Sequence, residues 1–580
     1  MKHRGPNNWI LPNPSRRRFV QGLAVGGVVL GATSWLRPAW AQEIAATVTG
    51  TAPVLPGTEF HLIITSTTVN YTGKNRLATV ANGSLPAPTL RWREGETVTI
   101  RITNHLQEMT AIHWHGIILP FEMDGVPGIS YKGIAPGETF VHRFKVQQSG
   151  TYWYHAHTLH EQTGLYGAIV IDPAEGETIK AERDYVVQLS DWTDEDPLTL
   201  IKNLKKRSDY YNFNQPTAAD FIRDVAKLGL SAALESRAMW NQMRMNPTDM
   251  SDVSGYTYTY LMNGTAPAGN WTGIFRPGER VRLRFVNAGT ASFFDVRIPG
   301  LKMTVVANDG QRVEPITVDE FRLGVGETYD VLVEPQDAAY TIFAQSMDRS
   351  GYARGTLAPR LGMEAAVPAV DKIEWLTMGD MMGDMGGDDM SGMDHSAHSG
   401  MVMEKPSVRV RHASSEFGPS VDMRVDTPRT NLNDPGTGLR NNGRRVLTYA
   451  DLHTLGGPID SRDAGREIEL HLTGNMERYM WSIDGLEFAK SKPIHFKLGE
   501  RLRVILHNDT MMTHPMHLHG MWSDLEGPDG KFQVRKHTIS VQPGQRVSFS
   551  VTADAPGHWA WHCHFLYHMS AGMFRQVIVA

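Results

Sequence analysis

Three segments far apart in the chain run through the same order of glycine turn, strand and asparagine. They are residues 93–104 (REGETVTIRITN), 276–287 (RPGERVRLRFVN) and 497–508 (KLGERLRVILHN). Each alternates apolar with polar residues, the period of a strand with one buried and one wet face. One such segment is ordinary strand chemistry, but three in the same order read as a repeated domain. Ala135–Phe140 and Gln542–Val547 repeat the passage from turn to strand. Many short strands with Gly and Pro turns predict an all-β chain of β-sandwich domains. The expected units are 50–175, 176–375 and 406–580. A helical insert is predicted over 217–245, where Phe221, Val225, Leu228, Leu234, Met239 and Met243 recur at helical spacing as a core-facing stripe.

Two stretches depart from this pattern. Residues 1–41 carry Lys2, Arg4, Arg16, Arg17, Arg18 and Arg37 and no acid, then a glycine-rich apolar run and Ala39-Trp40-Ala41. That is the form of a cleaved export signal, and Ser15-Arg16-Arg17-Arg18-Phe19 matches the twin-arginine pattern. No membrane span is expected once it is removed. What remains has 51 basic and 62 acidic residues, a formal net charge of −11, which argues against a nucleic-acid partner. Residues 376–405 form the second stretch. They hold Met378, Met381, Met382, Met385, Met390, Met393, Met401 and Met403, with His395, His398 and five aspartates. Without an apolar period this reads as a mobile linker. Thioethers gain nothing from water, so capture of labile copper is expected here, against the plainer reading of a solvated tether.

The chain has one cysteine, in His562-Cys563-His564, so an internal disulfide is excluded. His568 and Met573 follow it, and thiolate, imidazole and thioether together are a soft donor set of the kind copper prefers. The plain alternative is a buried, inert thiol. Three further histidine motifs are His113-Trp114-His115, His155-Ala156-His157 and His514-Pro515-Met516-His517-Leu518-His519. In a strand, each H-x-H pair presents both imidazoles on one face. The same rule puts Cys563 on the face opposite His562 and His564, so one backbone separates two metal sites. The motifs lie in the first and third repeats, and a shared site therefore requires those domains to touch.

On these motifs the sequence resembles the three-domain multicopper oxidases. It looks most like their bacterial periplasmic copper-resistance branch, through the twin-arginine leader, Asn263 in Tyr260-Leu261-Met262-Asn263-Gly264, and the methionine-rich linker. The resemblance implies three cupredoxin-like Greek-key β-sandwich/barrel domains and four copper ions. It implies His514, Cys563, His568 and Met573 as type 1 ligands and His113 and His517 as type 2 ligands. His115, His155, His157, His519, His562 and His564 match the ligands of the type 3 pair. It further implies O2 reduction to water, with Asp124 in Met123-Asp124-Gly125 supplying protons; a turn aspartate before glycine is the alternative. Relatives often carry an acid just after the histidine matching His568, but here Tyr567 and Met569 flank it. The second proton route is left open, with Glu161 a distant candidate.

Two electron donors remain open. Cu(I) is favoured by the linker methionines and by Met239, Met243, Met245 and Met250, for which packing of the helix is the equal alternative. Phenols or aromatic amines would make the protein a laccase. A third reading is non-enzymatic copper storage, for which a cysteine bridging two sites is not needed. Periplasmic copper carriers are partners expected from the family.

Overall fold

The computed structural model describes residues 52–383 and 410–580. They form six β-sheets in three successive pairs. Strands up to Asp172 build a five- and a four-stranded sheet. Strands from Arg183 to Ala358, and again from Glu467 to Val579, each build a six- and a five-stranded sheet. The chain is all-β, with each sheet pair closing over buried aromatic and branched side chains, among them Trp114, Trp153, Trp481, Trp559 and Trp561.

The three repeated segments become equivalent interior strands, Thr97–Asn104, Val281–Asn287 and Arg501–Asn508. Each runs parallel to one neighbour (Glu59–Val69, Arg183–Trp192 or Glu467–Asn475) and antiparallel to the other. The shared terminal asparagine now has a physical reason. The amide of Asn104 donates to the carbonyls of Glu108 and Ile134, that of Asn287 to Ser292 and Leu323, and that of Asn508 to Met512 and Val541. In each case Oδ1 accepts the backbone N–H two residues on, at 2.8, 2.9 and 3.0 Å. A buried side chain with both donors and an acceptor is needed to tie the strand end to two loops, and asparagine supplies them.

Buried polar contacts lock the domains together. Thr151 of the first domain donates to Asp330 of the middle one, and Arg284 donates to Thr151. Lys536 of the third domain, wholly buried, lies 3.0 Å from both Asp309 and Glu327 of the middle domain. A buried ammonium without those carboxylates would be strongly destabilising.

Two expectations are corrected. The insert is two helices, Ala218–Leu228 and Leu230–Met243, broken at Gly229, whose φ of +84° ends the first helix. Leu228, at the end of the first helix, and Leu234, in the first turns of the second, are 46% and 52% exposed rather than core-facing. Phe221, Val225, Met239 and Met243 are half-buried. The methionine-rich stretch is also more ordered at its start than its composition predicts. Met378–Met382 is helical, capped by Thr377, with Met381 fully buried and Asp380 paired to Arg440. Met385, Met390, Met393, His395, His398, Met401 and Met403 lie outside the described residues, as does the basic leader. Among the described residues no helix is long and apolar enough to cross a membrane.

Candidate metal centres

Strand pairing brings the histidine motifs together. The short strand His113–His115 pairs antiparallel with Gly150–His155, setting His113 opposite His155. In the third domain His514–Leu518 pairs with Gly557–Cys563, setting His517 opposite His562 and Met516 opposite Cys563. The two strand pairs then meet across the boundary between the first and third domains. His157 Nε2 and His519 Nε2 lie 3.3 and 3.0 Å from His562 Nε2, and His564 Nε2 lies 3.1 Å from His115 Nδ1. The His115 ring stacks on His517 at 3.8 Å, and His113 lies 3.9 Å from the His519 ring.

The nitrogens fall into separate converging groups. His157, His519 and His562 make one, His115, His155 and His564 a second, and His113 and His517 join His115 in a third. Buried Nε2 atoms of His113, His155 and His517 have no hydrogen-bond partner among the described residues. Unpartnered buried nitrogens are costly unless a ligand takes their lone pairs. Burial first, then neighbouring imidazoles, holds His115, His155, His157, His517, His519 and His564 well below the ordinary histidine range. Mainly through burial, His562 is lowered to about 4. Neutral, converging, unpartnered imidazoles are what a metal cluster requires.

On the other side of the Cys563 backbone is a second site. His514 Nδ1 and His568 Nδ1 lie 3.5 and 3.6 Å from Cys563 Sγ, and 3.2 Å from each other. All three residues are fully buried, as is Met573, whose backbone N–H donates to His568 and whose carbonyl accepts from Cys563. Burial pushes the Cys563 thiol far up, so a thiolate here needs a bound cation. Trp481 stacks on His568 at 3.8 Å, and Thr510 Oγ1 is 2.7 Å from His514 Nε2. These contacts fix both rings, as partners around metal-ligating histidines do.

Carboxylates sit behind the imidazoles. Asp124, 1% exposed, places Oδ2 3.0 Å from His519 Nδ1 and Oδ1 3.4 Å from His113 Nδ1. Glu161 is nearer the cluster than its sequence position suggests, with Oε2 3.2 Å from His155 Nδ1. Burial, reinforced by Asp191, holds the Glu161 carboxyl well above the usual carboxylate range. Next to it, Gln162 Oε1 accepts from Tyr258, Thr290 and Tyr567, each at 2.7 Å.

The middle domain has no histidine motif but still contributes. Gly326 packs so close that a Cβ there would lie 3.1 Å from the His115 ring. Asp252 Oδ2 lies 2.8 Å from His568 Nε2 and accepts from Tyr479 at 2.7 Å. Nothing in its local sequence marks Asp252. Three residues before it, Asp249 faces a cavity of about 860 Å³ whose wall includes Trp240, Met245, Trp375, Met378 and Met476. Burial, then nearby Asp252, raises the Asp249 carboxyl well above the usual range. Of the insert methionines only Met245 reaches this wall; Met250 is buried in a smaller cavity beside Met347, Met511 and Met512.

Comparison with known proteins follows the same outline. Family profiles described as multicopper oxidase match residues 63–176, 183–359 and 461–580. The chain is 56% identical to copper resistance protein A of Escherichia coli, over 98% of this chain and 100% of that protein. It is also 56% identical to a copper resistance protein A homolog of Pseudomonas syringae, over 97% of this chain and 99% of that one. The crystal structure of a multicopper oxidase that functions in iron import shares the fold, with a TM-score of 0.62 at 19% identity, covering 90% of each chain.

Proposed function

Because the chain belongs to the multicopper oxidase family, we propose that it oxidises Cu(I) one electron at a time and passes four electrons to O2, in the service of copper tolerance. Copper, when bound, supplies electron acceptance at the cysteine site and O2 reduction to water at the histidine cluster. We assign His514, Cys563, His568 and Met573 to type 1 copper and His113 and His517 to type 2. We assign His115, His155 and His564 to one type 3 ion and His157, His519 and His562 to the other, four ions in all. The groups of converging nitrogens support this division.

The chain's own residues set the route. Cys563 is covalently continuous with His562 and His564, so an electron reaching its sulfur has a through-bond path to both halves of the cluster. Asp124 and Glu161 stand where protons must arrive, each within hydrogen-bonding reach of a cluster histidine. The burial of the imidazoles and the close approach of Gly326 keep bulk water out.

The donor is assigned from one observation. Cu(I) takes thioethers readily, and Met245, Met378 and Met476 share a cavity wall with Asp249, close to the Asp252 carboxylate that touches His568. An electron from Cu(I) held there has a short path to the cysteine site. Residues 384–405, rich in Met, His and Asp, would collect the ion. Steady-state rates with Cu(I) and with a small phenol, under buffered free copper, test the assignment. A phenol preferred over Cu(I) would favour the laccase reading. We place the protein in the periplasm, exported by the twin-arginine leader, with periplasmic copper carriers as donors of substrate.

A further inference from the structure

A second buried cluster of histidines and carboxylates lies in the third domain and shares no residue with the sites above. His412 and Glu416 belong to the turn that begins this domain, with Glu416 in the short 3-10 helix Ser414–Phe417. His471 is carried by the strand Glu467–Asn475, and Asp509 follows the strand Arg501–Asn508. Their side chains are 6, 1, 4 and 0% exposed. Four atoms converge: His412 Nδ1, Glu416 Oε2, His471 Nδ1 and Asp509 Oδ2. His412 Nδ1 is 2.6 Å from Glu416 Oε2 and 3.6 Å from Asp509 Oδ2. His471 Nδ1 is 3.4 Å from Glu416 Oε2 and 2.7 Å from Asp509 Oδ2.

We propose that these four residues form a further metal site, taking a divalent cation of the Zn(II) or Cu(II) class through two imidazole nitrogens and two carboxylate oxygens. A tetrahedral ion with bonds of about 2.0–2.1 Å sets its ligand atoms about 3.3 Å apart. The four cross distances straddle that value. The two shorter ones are hydrogen bonds whose protons a dication would displace.

The surroundings are those of ligands already aimed. Each carboxylate has its other oxygen tied down: Glu416 Oε1 accepts from the Ala413 N–H at 3.0 Å, and Asp509 Oδ1 from the Val425 N–H at 2.8 Å. That leaves one oxygen of each to face the centre. The outer nitrogens of the imidazoles also face carboxylates, His471 Nε2 at 3.6 Å from Glu469 and His412 Nε2 at 3.7 Å from Asp426. Both contacts are longer than a hydrogen bond, so they add negative charge beside the rings rather than fix them. His507, in register beside His471, stacks on its ring at 4.7 Å and lies 2.8 Å from the same Glu469. Two buried carboxylates and two imidazole nitrogens aimed at one point are a donor set whose negative charge a dication would balance. The donor set separates the site from one for Cu(I), which prefers sulfur, and from one for Ca(II), which prefers all oxygen.

Such an ion would clamp the turn that follows the methionine-rich stretch onto the third-domain sheet. The competing account is a purely structural network in which imidazolium ions pair with the carboxylates. Co(II) titration of the copper-loaded full-length protein, after brief chelation of loosely held metal, separates the two. The expected result is one equivalent of Co(II) with the d–d absorption of a tetrahedral site, displaced by Zn(II). That equivalent should be lost in His412→Ala/His471→Ala while the blue absorption of the cysteine site persists. Equal Co(II) binding by wild type and variant, or none by wild type, overturns the proposal. Should the variant fail to fold, anomalous scattering from wild-type crystals soaked in Co(II) decides: a peak among the four residues supports the site, and its absence there overturns it.

Discussion

His568 Nε2 lies 2.8 Å from Asp252 Oδ2, so a histidine of the third domain whose other nitrogen is 3.6 Å from the sulfur of the only cysteine meets a carboxylate of the middle domain. Tyr479 donates to the same oxygen and fixes its position. Asp252→Asn should therefore slow Cu(I) oxidation by about tenfold, the lower end of what loss of a partner behind a metal-ligating histidine costs. The blue absorption should survive with a shifted maximum. Unchanged turnover together with an unchanged spectrum would remove Asp252 from the electron route.

Cys563→Ser should abolish both the blue absorption and oxidase turnover with every donor. The histidine cluster shares no side-chain ligand with it and should keep most of its copper, measured by metal analysis. Turnover of Cu(I) by this variant would mean that electrons bypass the sulfur.

Glu161→Gln keeps the shape and removes the exchangeable carboxyl proton 3.2 Å from His155. A fall in kcat of about 10²-fold or more is expected, the usual scale for a positioned proton donor. Asp124→Asn should act similarly from the His519 side. KM for the electron donor should stay near the wild-type value in both, because neither residue lies near the methionine-lined cavity.

Deleting residues 384–403 should lower Cu(I) oxidation sharply while oxidation of a small phenol is kept or rises. The boundary matters. Removing Met378–Met382 as well would expose the pocket of buried Met381 and break the Asp380–Arg440 pair, and both activities should then fall with stability.

Asp434 has a stability role that pH can read. Burial opposes its ionisation, yet the Arg440 and Arg429 guanidiniums hold its carboxyl well below the usual range. A depressed folded pKa means that its contribution is complete above the unfolded value of about 3.9 and fades as the pH falls through the folded value. Asp434→Asn should cost up to about 3 kcal/mol at neutral pH, because Arg429 loses its carboxylate while Arg440 keeps Asp380. Denaturant unfolding should show the gap narrowing toward acid pH.

How much of this was legible in the chain differs from one feature to the next. The repeated strands announce themselves because burial on one face forces alternation. The H-x-H pairs do so because a strand turns spacing of two into a shared face. The ends of the repeats were visible as asparagine, but the reason for it, one amide joining a strand end to two loops, is tertiary. Asp252 was not legible, since an aspartate in a polar loop looks the same whether or not a histidine of another domain lies against it. The same holds for His412, Glu416, His471 and Asp509, which share no motif and meet only when a turn packs on a sheet. Glu161 was visible but could not be ranked, because its distance from His155 depends on how the loop after the strand folds back. The insert misled for a simple reason: its apolar spacing runs straight through Gly229, where the backbone does not.

The imidazole cluster lies at a seam between the first and third domains, with its halves carried by strand pairs far apart in the sequence. A nascent chain cannot hold it. Until the strand Gly557–Cys563 has left the ribosome and paired, the histidines of the first domain face solvent as an incomplete half. Loading is thereby tied to the completion of synthesis, and a truncated product would be metal-poor as well as inactive. Copper content can thus report whether the whole chain has been made and folded.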